Sequence, residues 1–343
     1  MKRVCVVGNF GVAGVKPSDG QTVKTQTLYR ALVKKYGSEN VTCFNTYGGA
    51  LALLKWMFQS WWLLMTCRNV IVLPAQRALP IVVPLLFVEN LLFRRTLHYD
   101  VIGGWLSSYL KNRALLTAVL KHWNHIYVET TTLQSKLHEM EFQNVQVVPN
   151  GKDLIPLERV PARDYTLPLR LIFLARVNRE KGLEDAVQSV RKVNDMFDSP
   201  RYVLDVYGKV EDDGWFDEMR HLFSPQIAYK GVLESDKTVE SLSSYDLMIF
   251  PTRYETEGVP GSIIDAYMAG LPVIASRWES FSDVVDEKMT GYGYRLGDVE
   301  DLITVLLNVV ENVDKLTNMS QLALQKACQY TEKQMIEIIS NYL

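Results

Sequence analysis

Residues 252–276 read TRYETEGVPGSIIDAYMAGLPVIAS. The apolar run Leu247–Phe250 ahead of them has the length of a short buried strand and stops at Pro251. A polar loop follows with Glu255 and Glu257, then Gly258 and Gly261 around Val259 and Pro260. The spacing predicts a helix with Pro260 in its first turn and Gly270 just past its end. Pro272–Ala275 then opens another buried strand. Strand, loop, helix, turn and strand form the repeat of a parallel α/β sheet, whose ligands bind beyond the carboxyl ends of the strands. Glu257, the glycines and the helix N-terminus all fall at that end. The free N–H groups of a helix start favour an anion such as phosphate. Glu257 and Asp265, eight residues apart, are placed to accept hydrogen bonds from sugar hydroxyls. A local reading of Asp265 also stands, because Ser262-Ile-Ile-Asp265 has the form of a capping box.

Outward from this stretch, 343 residues give room for two domains of about 150 residues each. A net charge of −2 implies no general attraction to nucleic acid. The charge is unevenly spread: residues 1–152 hold 17 Lys and Arg against 7 Asp and Glu, and the rest hold 20 against 32. A first half at +10 suits an anionic partner. Cys5, Cys43, Cys67 and Cys328 form no C-x-x-C pair and read as buried thiols of a reducing, cytoplasmic compartment. No secretory signal is expected, since the apolar run Val4–Val7 is too short.

In chain order, Arg3–Gly8 is a first strand, followed by a long loop and a helix from about Gln21 to Lys35. Gly8, Gly11 and Gly14 lack the G-x-G-x-x-G spacing, and the next strand ends in Asn45 where NAD binding needs an acid. Ala50–Thr66 is apolar with Trp56, Trp61 and Trp62, and Leu79–Phe93 is apolar but broken by Pro80 and Pro84 before Arg94 and Arg95. Neither reaches the ~20 unbroken apolar residues of a spanning helix. They fit either core helices or a surface lying on a membrane. Gly103, Gly104 and Trp105 follow one strand, Leu97–Ile102, and Glu129 follows another, His125–Glu129, all at site-side ends. Prolines and polar residues after Pro149-Asn150-Gly151 mark a domain boundary near Lys152.

The second half opens with a strand, Leu169–Ala175, and then Arg176 and Lys181-Gly182. Two cations in a strand-to-helix loop suit a diphosphate clamp. The cluster Glu211-Asp212-Asp213 reads as a solvated loop, so no metal site is expected.

The acidic pair Glu257 and Asp265, followed by Gly270-Leu-Pro-Val273, resembles the signature of the retaining GT-B glycosyltransferases of bacterial polysaccharide and lipopolysaccharide synthesis (family 4, glycosyl transferases group 1). Ala175-Arg176 with Lys181-Gly182, and Pro149-Asn150-Gly151, are similar to further motifs of that family. Asp265 stands where the family usually has Glu, and Ala175 where it has Gly. The resemblance implies α/β architecture with two Rossmann-like domains facing a cleft. These are residues 1–152 for the acceptor, 153–330 for the nucleotide sugar, and a helix in 331–343 returning to the first domain. It implies retaining hexosyl transfer from a nucleoside diphosphate sugar, a UDP-sugar as co-substrate, to a hydroxyl of a cell-surface or lipid-linked glycan. No metal and no further cofactor are implied. Arg176, Lys181 and Glu257 take the catalytic places. Gly20 (of the pair Asp19-Gly20), Gly208, Gly258, Val259, Pro260, Gly261 and Asp265 take donor-binding places. Gly104, Trp105 and Glu129 are the acceptor-side candidates. A nucleotide-sugar epimerase and a non-catalytic sugar-nucleotide-binding protein share this architecture. The basic first half and its tryptophans add an expectation of peripheral contact with the inner face of an anionic membrane.

Overall fold

The computed structural model describes residues 1–12, 14, 20–48, 50–234 and 237–343, and of 50–55 and 57 the backbone only. Asp19 lies outside the described residues. The chain divides into two compact units, Met1–Asp153 with Tyr330–Leu343, and Leu154–Gln329.

The first unit carries β1 (Lys2–Gly8), β2 (Val41–Asn45), β3 (Cys67–Leu73), β4 (Thr96–Asp100), β5 (His125–Val128) and β6 (Val145–Val147). They form one sheet in the order β2-β1-β3-β4-β5-β6 with every pairing parallel. A parallel sheet with helices on its faces is buried on both sides, so its inner strands read as unbroken apolar runs. Val4–Val7 of β1 and Val70–Leu73 of β3 are buried throughout. On the edge strand β2 only Val41 is buried, and Cys43 is exposed. Cys328 is exposed as well, so only Cys5 and Cys67 are the buried thiols expected.

Helices α1 (Gly20–Tyr36), α2 (Ala50–Thr66) and α3 (Leu79–Phe93) follow β1, β2 and β3. In α2, Trp56, Ser60, Leu63 and Leu64 are buried, at the i, i+4, i+7, i+8 spacing of one helix face. Phe58, Trp61, Trp62 and Met65 are exposed. The neighbouring α3 buries Leu79, Val82, Val83 and Leu86 and exposes Ile81, Val88, Leu91 and Leu92. Ser60 donates to Glu89 at 3.1 Å, and the Trp61 ring meets Phe93 edge to face at 5.2 Å, which ties the two helices together. Ala50–Thr66 thus has a core face, as one reading expected, and an exposed apolar face opposite it. Among the described residues no helix is long and apolar enough to cross a membrane.

The second unit carries β7 (Leu169–Leu174), β8 (Tyr202–Tyr207), β9 (Ile227–Gly231), β10 (Leu247–Phe250), β11 (Val273–Ser276) and β12 (Gly291–Tyr294). Its sheet is also parallel, in the order β12-β11-β10-β7-β8-β9. Helix α4 (Leu183–Asp195) lays Leu183, Ala186, Val187, Val190 and Val193 into a core with Phe173 and Leu204. Helix α5 (Gly261–Met268) connects β10 to β11. The last helix, α6 (Glu332–Ser340), belongs to the first unit, where Met335, Ile336 and Ile339 pack with Val4, Val6 and Leu28.

Candidate functional site

In the second sheet the chain runs from β7 out to β8 and β9, then returns to β10 on the other side of β7. The loops after β7 and β10 therefore diverge from adjacent strand ends, and such a switch point is where open α/β sheets bind ligands. Arg176 and Lys181 lie in the first loop and Glu257 in the second. Two glycines make the local geometry possible. Gly182 has φ 72°, and a Cβ there would stand 1.8 Å from the Pro251 carbonyl oxygen. Gly208 has φ 147°, and its Cβ would stand 1.7 Å from the Ala175 carbonyl oxygen. Only glycine allows both that backbone and that approach. The loop carrying Lys181 is thereby pressed against the end of β10.

The result is a contact between residues 76 apart: Lys181 Nζ lies 2.6 Å from Glu257 Oε2. Their side chains are 14% and 15% exposed, so the pair is partly shielded from water but still accessible. The Thr252 hydroxyl donates to the same carboxylate at 3.3 Å, and the Lys181 ammonium sits 5.6 Å from the centre of the Phe250 ring. Two further ties staple the loops. The Arg253 N–H donates to the Glu180 carbonyl at 2.8 Å. The Arg253 guanidinium makes a bidentate pair with Asp185 of α4, whose side chain is buried. Such a charge-assisted fork fixes orientation as well as energy.

Arg176 is held more loosely. Its Nη1 is 2.9 Å from Glu211 Oε1, while Asn178 Nδ2 donates to Glu211 Oε2 at 2.7 Å. The Asn178 hydrogen bond, with Arg176 behind it, holds the Glu211 carboxyl below its ordinary range. The Arg176 and Glu211 side chains are 51% and 36% exposed. An ion pair this open contributes about 0–1 kcal/mol, so the guanidinium is available to a stronger anion. Asp212 accepts the Trp215 N–H at 3.0 Å as a helix cap. Among the described residues no group of three His, Cys, Asp or Glu could hold a metal ion.

Helix α5 starts one residue later than its proline suggests. Pro260, at φ −65° and ψ 125°, is still extended and stands just outside the helix. Its carbonyl accepts from the Ile263 and Ile264 N–H groups at 3.1 and 3.2 Å. Ser262 is then the second helical residue and cannot act as the N-cap, so the capping-box reading of Asp265 fails. Asp265 lies a full turn into the helix and is buried. No side chain caps the start of α5, which follows the buried Gly258 and Val259 directly after Glu257.

The first-unit candidates separate. Gly20 is the first residue of α1, exposed, with open space where a Cβ would point. Gly104 is buried, and Trp105 is half-buried with its indole N–H given to the Ile102 carbonyl at 2.7 Å. Glu129 turns inward: Oε1 is 2.9 Å from Lys24 Nζ of α1, which also lies 2.8 Å from Asp100 at the end of β4. All three side chains are at most 3% exposed, so Glu129 forms part of a buried ion cluster. Lys24 and Asp100 are its members that the sequence reading missed. His98, at the start of β4, bonds Tyr127 and Asn69, and burial pulls its pKa down to about 3.

Residues 168–312 match the family model described as Glycosyl transferases group 1. The chain is similar to sulfoquinovosyl transferase SQD2 of Arabidopsis thaliana, with 27% identity over 135 residues covering 38% of this chain and 25% of that protein. It is also similar to the amylovoran biosynthesis glycosyltransferase AmsK of Erwinia amylovora, with 25% identity over 155 residues covering 41% of this chain and 36% of that protein. These matches span about a quarter to a third of the relatives' own lengths. Among solved structures, Anabaena HepE in complex with UDP and glucose superposes with a TM-score of 0.74 at 12% identity, covering 100% of this chain and 99% of that one. That likeness shows the fold, the GT-B architecture built from two Rossmann-like units.

Proposed function

We propose that this chain, whose residues 168–312 are a glycosyl transferases group 1 domain, moves a hexosyl group from a nucleoside diphosphate sugar to a glycan hydroxyl, with retention and without a metal ion. The observation that carries this reading is the Lys181–Glu257 contact at the switch point of the second sheet. A cation for phosphate and a carboxylate for sugar hydroxyls stand side by side there, as the two halves of a nucleotide sugar require. Arg176 adds a second cation, and the uncapped start of α5 adds backbone donors. Catalysis on this reading is electrostatic: Arg176 and Lys181 stabilise charge growing on the departing diphosphate, which takes the acceptor's proton on the same face. UDP is the favoured nucleotide because HepE, of the same fold, was solved with UDP and glucose. The likeness to AmsK, by name an amylovoran biosynthesis glycosyltransferase, supports a growing glycan as acceptor.

The test is a screen of nucleotide sugars with and without candidate glycans, in excess chelator. Transfer, with release of nucleoside diphosphate only when acceptor is present, is the expected result. Interconversion of the donor without acceptor indicates an epimerase, and donor binding without release indicates a binding protein. Either outcome overturns the reading. Loss of turnover on chelation, restored by Mn²⁺ or Mg²⁺, overturns its metal-independent part.

Asp265 is assigned to the donor ribose. Since it is not a cap, Asp265→Asn is expected to weaken donor binding about fivefold to tenfold, or roughly 1 kcal/mol, the scale of one hydrogen bond. Calorimetric titration of the donor checks this. Unchanged affinity removes Asp265 from the site.

The acceptor is proposed to be lipid-linked and presented at the inner face of a membrane. The support is the exposed face of Phe58, Trp61, Trp62 and Met65 on α2 beside Val88, Leu91 and Leu92 on α3. Arg94 and Arg95 follow α3 directly, in a unit of strongly positive charge. Apolar faces of this kind mark interaction surfaces, and interfacial tryptophans with flanking cations suit headgroups. The protein is expected to co-sediment with anionic vesicles at low salt and to release at high salt. Replacing Trp61 and Trp62 by serine is expected to abolish sedimentation. A protein that stays in the supernatant with anionic vesicles has a soluble acceptor instead.

A further inference from the structure

In the second unit the loops that follow β7 and β8 are joined to each other. Val177 and Val210 pair as an isolated parallel bridge. The Val177 N–H is given to the Lys209 carbonyl at 2.9 Å, and the Glu211 N–H to the Val177 carbonyl at 3.2 Å. Val177 is fully buried, so this register is anchored in the core. It delivers the Glu211 side chain to the two cations of the proposed diphosphate clamp. Its neighbour Asp212 is already used as the N-cap of the helix Asp213–Arg220. The Glu211 carboxylate places its two oxygens on two different residues: Oε1 accepts from Arg176 Nη1 and Oε2 from Asn178 Nδ2. Asn178 is in turn the N-cap of the turn Arg179–Lys181, and its Oδ1 accepts the Lys181 N–H at 2.9 Å. An Asn amide donates with one end and accepts with the other, so an acceptor on its Nδ2 side turns Oδ1 towards Lys181. One carboxylate thus connects Arg176 to the backbone of Lys181 through a single side chain. Its hold on Arg176 is by one nitrogen only. Among the described residues Nε and Nη2 of Arg176 meet no partner, which leaves a two-nitrogen edge for bidentate contact with phosphate oxygens.

We infer that Glu211 is a positioning residue of the diphosphate clamp: it presents the free edge of Arg176 to the phosphates and fixes the spacing between Arg176 and the turn that carries Lys181. It touches no substrate itself, and its role rests on the nucleotide-sugar reading above. A long, half-exposed arginine loses rotamer freedom when it binds an anion, and a carboxylate that has already ordered it lowers that cost. The same contact has a rival role, in which Glu211 fills Arg176 until a diphosphate displaces it. The two roles predict opposite signs when the carboxylate is removed. The one-nitrogen hold and the link on to Lys181 favour positioning, because displacement requires neither.

Titration calorimetry of the full chain with UDP tests it, alongside turnover. UDP carries on its terminal phosphate the charge that a departing diphosphate acquires, and it binds without chemistry. Glu211→Gln keeps an acceptor for Asn178 and removes the charge that holds Arg176. It is expected to weaken UDP about tenfold and to lower kcat by a similar factor, while the donor KM rises by less than about threefold. In an Arg176→Ala background the same substitution is expected to change neither quantity further. The midpoint of urea unfolding is expected to stay where it is, since so open an ion pair adds little to stability. A merely structural role would move that midpoint and would persist without Arg176. UDP affinity unchanged in Glu211→Gln overturns the positioning role, and tighter binding overturns it in favour of a displaced competitor. A loss that persists in full in the Arg176→Ala background overturns it too. If UDP responds as expected but no acceptor is glycosylated, the transfer reaction falls and Glu211 keeps its role. If Glu211→Gln transfers at the parent rate with UDP binding unaffected, the role falls and the reaction stands. A parent chain that binds none of UDP, GDP, ADP and dTDP overturns both.

Discussion

Lys181→Ala is expected to lower kcat by about 10²–10³, or about 2.7–4 kcal/mol, the scale for losing one donor aimed at developing charge. The drop should fall on kcat more than on the donor KM, because charge on the diphosphate grows between the bound state and the transition state. Arg176→Ala is expected to cost less, since its guanidinium is more exposed and less constrained than the Lys181 ammonium. Lys181 has a second task. At 2.6 Å from Glu257 it holds that carboxylate in place, so removing the lysine also frees the group assigned to the sugar. The double variant Lys181→Ala with Glu257→Gln should then cost less than the sum of the singles, as for any residues acting as one unit. Strict additivity would show that the contact has no part in turnover. Near-normal kcat in Lys181→Ala, with the fold intact by circular dichroism, would remove the clamp altogether.

The stretch around Glu257 was legible because its signals are local. Pro251 ends a strand, glycines and Pro260 set a helix start, and Leu271-Pro272 leads into β11. Local signals do not report which strands become neighbours. The Lys181–Glu257 contact depends on β7 lying beside β10, although β8 and β9 intervene in the chain. The faces of α2 were hidden for a different reason. Trp56, Ser60, Leu63 and Leu64 form a proper buried stripe, but the opposite face is apolar as well, so periodicity had no contrast to detect. The Ser262–Asp265 spacing misled because a capping box requires Ser at the N-cap, and Pro260 delays the helix by too little for Ser262 to occupy that place. A signal for Lys24 did exist. It lies on the 24-28-31-32 stripe that α1 buries, where an ammonium is stable only with partners.

Those partners make Lys24→Met the variant with the largest expected effect on stability. Burial alone would lower the Lys24 pKa, but the attraction of Asp100 and Glu129 outweighs it, so the ammonium holds its proton more tightly than a free lysine. The folded-state pKa is raised, so this contribution is complete below the ordinary lysine pKa of 10.5 and is lost as pH rises through the folded value. Removing the ammonium leaves two carboxylates buried together, which costs about 3–5 kcal/mol at neutral pH. The loss should depend on pH. Burial already raises the Asp100 pKa, and deleting the cation raises it further. The folded variant then retains a proton that the unfolded chain, with Asp near 3.9, releases. Because the folded state binds more protons, the variant should gain stability as pH falls from 8 to 5, the opposite of the usual salt-bridged carboxylate. Adding Asp100→Asn should restore much of the loss by removing the like charge. Urea unfolding at pH 5 and pH 8 measures all three proteins. A Lys24→Met variant as stable as the parent at pH 8 would mean that the cluster is hydrated and that Glu129 can face a ligand after all.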